Sequence, residues 1–265
     1  SHVTERGLLG DRAIALVDAE TGKLVSAKRP RLWGGMFGFA SALSREPAPG
    51  RPLPPARITF PDGSTRSSED ADVSPALSTA LGRKIRLTTP GADQLWFEEV
   101  WHGGLKGGAE PYGPVVGEEE GEQLIEAPAS LAVPGGFFDA AAIHLVTTAT
   151  LRKLAELAPS SRFAAERFRP NLVIDVPGAD GFVENDWPDR VVEIGDVRLE
   201  ILIRVPRCVM TTLPQGDLPK DHDVLRTITK HNKVAALAGE YPCVGVYANV
   251  AAGGEIAVGD DVRLA

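Results

Sequence analysis

The sequence predicts a mainly β protein with a few helices, arranged around a small barrel or sandwich. Glycine and proline number 28 and 21 among 265 residues, which favours many short elements between turns over a few long helices. Short β-branched runs separated by turn residues dominate from position 170 onwards. Only two segments hold a helical period.

Along the chain, "AIALVDAETGKLVSAKR" (13–29) sets two apolar runs around the turn Asp18 to Gly22, and "ARITFPDGSTRSS" (56–68) repeats the pattern around Pro61, Asp62 and Gly63. Both read as hairpins. Between them, the proline-rich "REPAPGRPLPP" (45–55) is an extended connection. Residues 97–136 are glycine-rich and acidic, with no persistent period, and read as a long loop region. A loop of that length is a lid, a binding loop or a plain solvated insertion. "TTATLRKLAELA" (147–158) places Ala149, Leu151, Leu154 and Leu157 on one helical face behind capping threonines. "DVLRTITKHNK" (223–233) is the second, weaker helix. The remaining carboxy-terminal runs, "NLVIDV", "RVVEIGDVRLEILIRV", "VGVYANV" and "EIAVGDDVRL", read as strands.

Composition narrows the function. A hydrophobic fraction of 43% with 24% charged residues is that of a folded domain. The formal charge of −8 argues against nucleic acid or an anionic membrane as partner. No apolar run is long enough to span a bilayer, and the amino end lacks the apolar core of a signal peptide, so a cytoplasmic location is expected. The two cysteines, 208 and 243, form no C-x-x-C pair and fit neither a disulfide framework nor a structural zinc site. G-x-S-x-G, P-loop and dinucleotide fingerprints are absent.

Three residue groups carry chemical interest. Cys208 sits beside Arg207, and a neighbouring guanidinium favours the thiolate, which is the nucleophile and metal ligand. A small core residue at a strand end is the competing reading. Cys243, with no adjacent cation, reads as core. Arg169 and Asn171, one proline apart at the mouth of a strand, suit an anion, although a surface ion pair beside a turn asparagine is equally physical. The five histidines show no metal spacing, and His144, between apolar neighbours, reads as a hydrogen-bonded core histidine.

The order of segments adds a resemblance. "GLLGDRAIALVDAETGKLVSAKRPRLW" (7–33), "PDG" followed by "LSTALGR" (61–83), "DAAAIHLVTTATL" (139–151), "FRPNLVIDVPGADGFVENDW" (168–187), "IGDVRLEILIRVPRCVMTT" (194–212) and "GVYANVAAGGEIAVGDDVRL" (245–264) recur in the order of the MOSC family. This family is named for the carboxy-terminal domain of molybdenum cofactor sulfurases. The chain resembles its amidoxime-reducing type, together with the amino-terminal β domain of that type.

The resemblance implies a MOSC β-barrel domain at 137–265 packed with a smaller amino-terminal β domain at 1–96, leaving 97–136 as an insertion. It implies the molybdenum pyranopterin cofactor (molybdopterin), with Cys208 as molybdenum ligand and Arg12, Arg169, Asn171 and Arg207 on its phosphate and pterin edges. Asp139 aligns with an acid near the metal, a proton donor or an orienter of substrate. The implied reaction removes oxygen from a small N-hydroxylated or N-oxide substrate, with electrons from a separate haem, flavin or iron–sulfur protein. A Cys208 persulfide serving sulfur transfer, and a binding module without turnover, are the alternatives; the family is also linked with pyridoxal phosphate binding. Ala140 and Ala141 stand where cofactor-binding members carry hydroxyl residues, and Asn185 fills a position that is acidic in the family.

Overall fold

A computed structural model describes residues 1–91, 94–102, 122–129, 136–237 and 239–265. The described residues are mainly β, with four α-helices among them. They form two compact units: Ser1–Leu9 with Ala140–Ala265, and Gly10–Asp139. The sequence-based division ran 1–96, 97–136 and 137–265. The first nine residues join the carboxy-terminal unit because the strand His2–Thr4 pairs with Gly254–Glu255 and buries Val3.

The carboxy-terminal unit is built on a seven-stranded, barrel-like sheet. Its strand order is Leu172–Ile174, Ile143–Thr147, Gly239–Ala252, Val197–Pro206, Val191–Ile194, Val262–Leu264, with Lys233–Ala236 also paired to Gly239–Ala252. Ile143–Thr147 is buried at all five residues. It runs parallel to Leu172–Ile174 through a helical crossover and antiparallel to Gly239–Ala252. A strand covered on both faces needs a near-continuous apolar run, which "IHLVT" supplies around one histidine.

The long pair Val197–Pro206 with Gly239–Ala252 carries three register shifts. Each shift bends the ladder and adds twist, which curls a sheet towards closure. At the third, Arg204 faces Val246 while Pro206 faces Cys243, so one extra residue enters the longer strand. Gly245 lies there with φ 79°. A Cβ on Gly245 would stand 2.3 Å from the Leu145 carbonyl oxygen, so only glycine permits this approach.

Both expected helices form. Thr148–Leu157 starts where the Thr147 side chain accepts a hydrogen bond from the Thr150 N–H, and Asp223–His231 buries Val224, Thr227 and Ile228. Their apolar faces meet in one cluster of Val146, Leu154, Phe163, Phe168, Val224, Ile228 and Val244. Truncating one of the larger aliphatic members to alanine would cost about 2–5 kcal/mol.

In the unit Gly10–Asp139 the hairpin at 56–68 forms as read, Ala56–Thr59 with Thr65–Ser67, and gains Ala40–Leu43 as a third strand. The 13–29 hairpin is shorter than expected. Ala15–Asp18 takes Ile85–Thr88 as its strand partner, and the return run touches it through one bridge, Val17 to Leu24. Leu24 also bridges Phe97, which draws the return run away. A helix, Val73–Leu81, closes at Gly82 in the left-handed conformation.

The expectation of loop over 97–136 is corrected where the chain is described: Trp96–His102 and Glu122–Pro128 pair antiparallel in seven-residue strands. Burial of Phe97, Val100 and Leu124 explains the pairing. Lys23 adds hydrogen bonds to Glu98 (2.6 Å) and Glu126 (2.5 Å). The rest of the stretch, apart from Ala129 and Gly136, lies outside the described residues.

Candidate functional site

The two cysteines have opposite environments. Cys243 is fully buried on the long strand. Burial pushes its thiol up to about 11, only partly countered by Arg207 and Arg204, so its sulfur is an inert core group at neutral pH. Cys208 is half-buried. It follows Pro206, the last residue of Val197–Pro206, by two positions and opens the 3₁₀ turn Val209–Thr212, with its carbonyl accepting from the Thr211 hydroxyl at 3.1 Å. A half-buried thiol on a pinned turn at a strand end is what a ligand or nucleophile requires.

Two arginines fix the chain around that turn. The Arg207 backbone N–H donates to the Pro242 carbonyl (2.8 Å). Its guanidinium donates to the Val244 carbonyl through Nε (2.9 Å) and Nη2, and to the Phe168 carbonyl through Nη1 (3.3 Å), while stacking over the Phe168 ring. Its Nη2 also meets His144 Nε2. Arg207 therefore has most of its donors engaged with the protein, and its visible work is to brace the segment before Cys208.

Sequence reasoning missed Arg167, which does the same for the segment after Cys208. Arg167 is 1% exposed and donates to the carbonyls of Arg162 (2.8 Å), Thr211 (3.3 Å), Leu213 (3.5 Å) and Pro219 (2.9 Å). Burial pushes its guanidinium below the ordinary arginine value, and Asp221 partly restores it. The "ERFRPN" run signalled only a charged turn, and nothing in it marks Arg167 as the buried member.

Asn171 is tied to the central strand. Its N–H donates to the His144 carbonyl (2.8 Å), and its side-chain oxygen accepts from the His144 N–H (2.9 Å). The asparagine thus extends the ladder by one rung and sets the start of Leu172–Ile174. Arg169 stands two residues earlier with φ 54°. Glu184 is 1% exposed and accepts from the hydroxyls of Thr147 (2.7 Å) and Thr150 (2.6 Å), fastening the turn Val183–Asp186 to the helix start.

The sequence-predicted residues fall into two groups. Arg169, Asn171, Arg207 and Cys208 belong to the carboxy-terminal unit, where His144 and Phe168 link the first three. Arg12 and Asp139 belong to the other unit. Arg12 has φ 48°, pairs with Asp11 and stacks on the Phe138 ring at 5.4 Å. Asp139 accepts from Lys28 Nζ at 2.5 Å, and the same ammonium reaches Glu99 at 2.6 Å. Among the described residues no group of three or more His, Cys, Asp or Glu side chains forms a metal site, and no helix is long and apolar enough to cross a membrane.

Residues 132–263 match the family described as MOSC domain. This is a MOSC-domain protein. The Arg207-Cys208 turn, the Asn171 rung and the barrel-like sheet, apart from its last residue Leu264, lie inside the matched segment of the MOSC domain. The chain is similar to mitochondrial amidoxime reducing component 2 of Rattus norvegicus, 32% identical over 47% of this chain and 37% of the relative. It is also similar to mitochondrial amidoxime-reducing component 1 of Mus musculus, 32% identical over 48% and 38%. Component 1 of Homo sapiens is 33% identical over 38% and 30%. The matches span well under half the length of these curated relatives.

Proposed function

We propose that the chain binds a molybdenum pyranopterin cofactor and reduces a small N-oxygenated substrate, with the Cys208 thiolate as protein ligand to the metal. The observation that carries the reading is the contrast between the two thiols: Cys243 is sealed in the core, while Cys208 is half-buried on a turn braced from both sides by Arg167 and Arg207. A soft thiolate suits molybdenum. Similarity to relatives named for amidoxime reduction supports the substrate class.

The donor set fits the cofactor. Arg169 offers a guanidinium on a left-handed backbone beside the Asn171 rung, and such a fork recognises phosphate. Arg207 serves by holding the turn, because its donors already meet the Val244 and Phe168 carbonyls and His144. Arg12 and Asp139 keep the roles the resemblance gives them. For Asp139 orientation is the better-supported role, since its carboxylate accepts from Lys28, whose Nζ carries the proton. When bound, the cofactor supplies two-electron removal of oxygen. Its electrons come from a separate protein.

The test uses chain produced in a host that makes the cofactor, an N-hydroxylated amidine as substrate and a chemically reduced viologen dye as electron source. Wild type oxidises the dye and releases the amidine, and Cys208→Ala abolishes both. Turnover retained by Cys208→Ala, or absent from molybdenum-loaded wild type, would overturn the reading. A thiol-releasable sulfur on Cys208 in protein lacking molybdenum would instead mark a sulfur carrier.

A further inference from the structure

His144 is 4% exposed and lies at the meeting point of the residues around Cys208. Its main chain makes both hydrogen bonds to Asn171. Its ring stands edge-on to Tyr247, its cross-strand partner, at 5.6 Å between centroids. Its Nε2 meets Arg207 Nη2 at 2.5 Å. A guanidinium only donates, so Nε2 must present its lone pair and the ring proton must sit on Nδ1. Room for the ring comes from Gly245, where a Cβ would stand 2.5 Å from Nε2. The bulge in the long strand and the histidine are therefore one device.

We propose that His144 is the positioning residue for Cys208: its neutral imidazole fixes the Arg207 guanidinium, and Arg207 in turn fixes the backbone that presents the sulfur. In this role His144 acts through Arg207. Its main-chain hold on Asn171 sets the start of the neighbouring strand from the same residue, so the side chain and main chain of one residue coordinate both edges of the site. The inference rests on Cys208 being the functional thiol, but its test needs no cofactor.

Three substitutions separate position from packing. His144→Phe keeps a ring of similar size and removes the acceptor. His144→Gln places an amide oxygen where Nε2 stands, and His144→Asn places its polar atoms near Nδ1, short of Arg207. The full chain, without cofactor, is treated with iodoacetamide, and the rate at each cysteine is followed by mass spectrometry. Buried Cys243 is the control within the same molecule. Local opening of the turn is expected to raise the Cys208 rate at least about fivefold in His144→Phe and His144→Asn, with Cys243 unchanged and His144→Gln within about twofold of wild type.

An unchanged Cys208 rate in the Phe and Asn variants would overturn the proposal. So would Cys208 and Cys243 rising together, which reports general loosening, or His144→Gln behaving like His144→Phe. If His144→Phe fails to fold, the Asn and Gln variants, one methylene apart, carry the comparison. Molybdenum content of wild type is measured separately: its absence alongside the expected alkylation pattern would overturn the cofactor reading and leave the positioning role standing.

Discussion

Arg12 and Arg169 hold φ of 48° and 54°, and they are two of the four non-glycine residues with positive φ among those described. A side chain in that region costs about 1–2 kcal/mol, and such strain concentrates where function demands a particular direction of chain. Glycine relieves it at the expense of a more flexible unfolded chain. Arg169→Gly relieves that strain, worth up to about 1 kcal/mol, so its change in melting temperature reads that relief against the side chain's own contacts, while the protein is expected to retain less cofactor. Thermal unfolding and metal content on one preparation check this. A clear loss of stability would mean that the Arg169 side chain holds the fold and leaves the phosphate role unsupported. The arginine-proline-asparagine spacing was visible in sequence; the backbone strain was not, because φ at a non-glycine residue is set by the surrounding chain.

At the scale of elements, the hairpin Trp96–His102 with Glu122–Pro128 shows what period-based reading misses. The run "WFEEV" pairs apolar with apolar and acid with acid instead of alternating, so it lacks a strand's period. Tertiary partners explain it: Phe97 and Val100 are buried, Glu98 meets Lys23 and Arg29, and Glu99 meets Lys28. Burial pushes the Glu98 carboxyl up, but hydrogen bonds and charge from Lys23 and Arg29 outweigh it and hold the group below its ordinary value. A carboxyl depressed in the folded state stabilises the fold above its ordinary titration range, and that contribution disappears as pH falls through the lowered value. The hairpin is thus expected to loosen in acid. Lys23→Met should move the onset of amide exchange at 96–102 to higher pH, and an unchanged onset would show that the ion pairs add nothing. The helix Val73–Leu81 escaped for a different reason: "VSPALSTAL" mixes a proline and hydroxyl residues into an otherwise apolar run, and burial of Val73 and Leu77 decides the outcome.

Across the whole molecule, what the sequence disclosed best was order. Gly-Asp-Arg, Arg-Pro-Asn and Arg-Cys at their separations pointed to the MOSC family before any contact was known, and the strand runs after 170 appear in the sheet except in "EIAVGDDVRL", of which only Val262–Leu264 joins it and Ile256–Val258 forms no strand. The links between those motifs were hidden. His144 joins Asn171 to Arg207 across 27 and 63 positions, Arg167 reaches carbonyls 44 and 46 residues away, and His2–Thr4 pairs with Gly254–Glu255 at the opposite end of the chain. No local pattern encodes such pairings, since they arise when strands distant in sequence find one sheet. Gly245 alone left a trace, a glycine inside an apolar strand, which marks close backbone approach.

The central claim is that Cys208 holds molybdenum, and elemental analysis combined with X-ray absorption at the molybdenum edge tests it most directly, on wild type, Cys208→Ala and Cys243→Ala made in a cofactor-producing host. The account predicts about one molybdenum per chain in wild type and Cys243→Ala, with a protein sulfur in its first shell that is lost, along with most of the metal, in Cys208→Ala. Molybdenum retained in Cys208→Ala with unchanged sulfur coordination, or absent from wild type in a host whose other molybdenum enzymes are loaded, would contradict it.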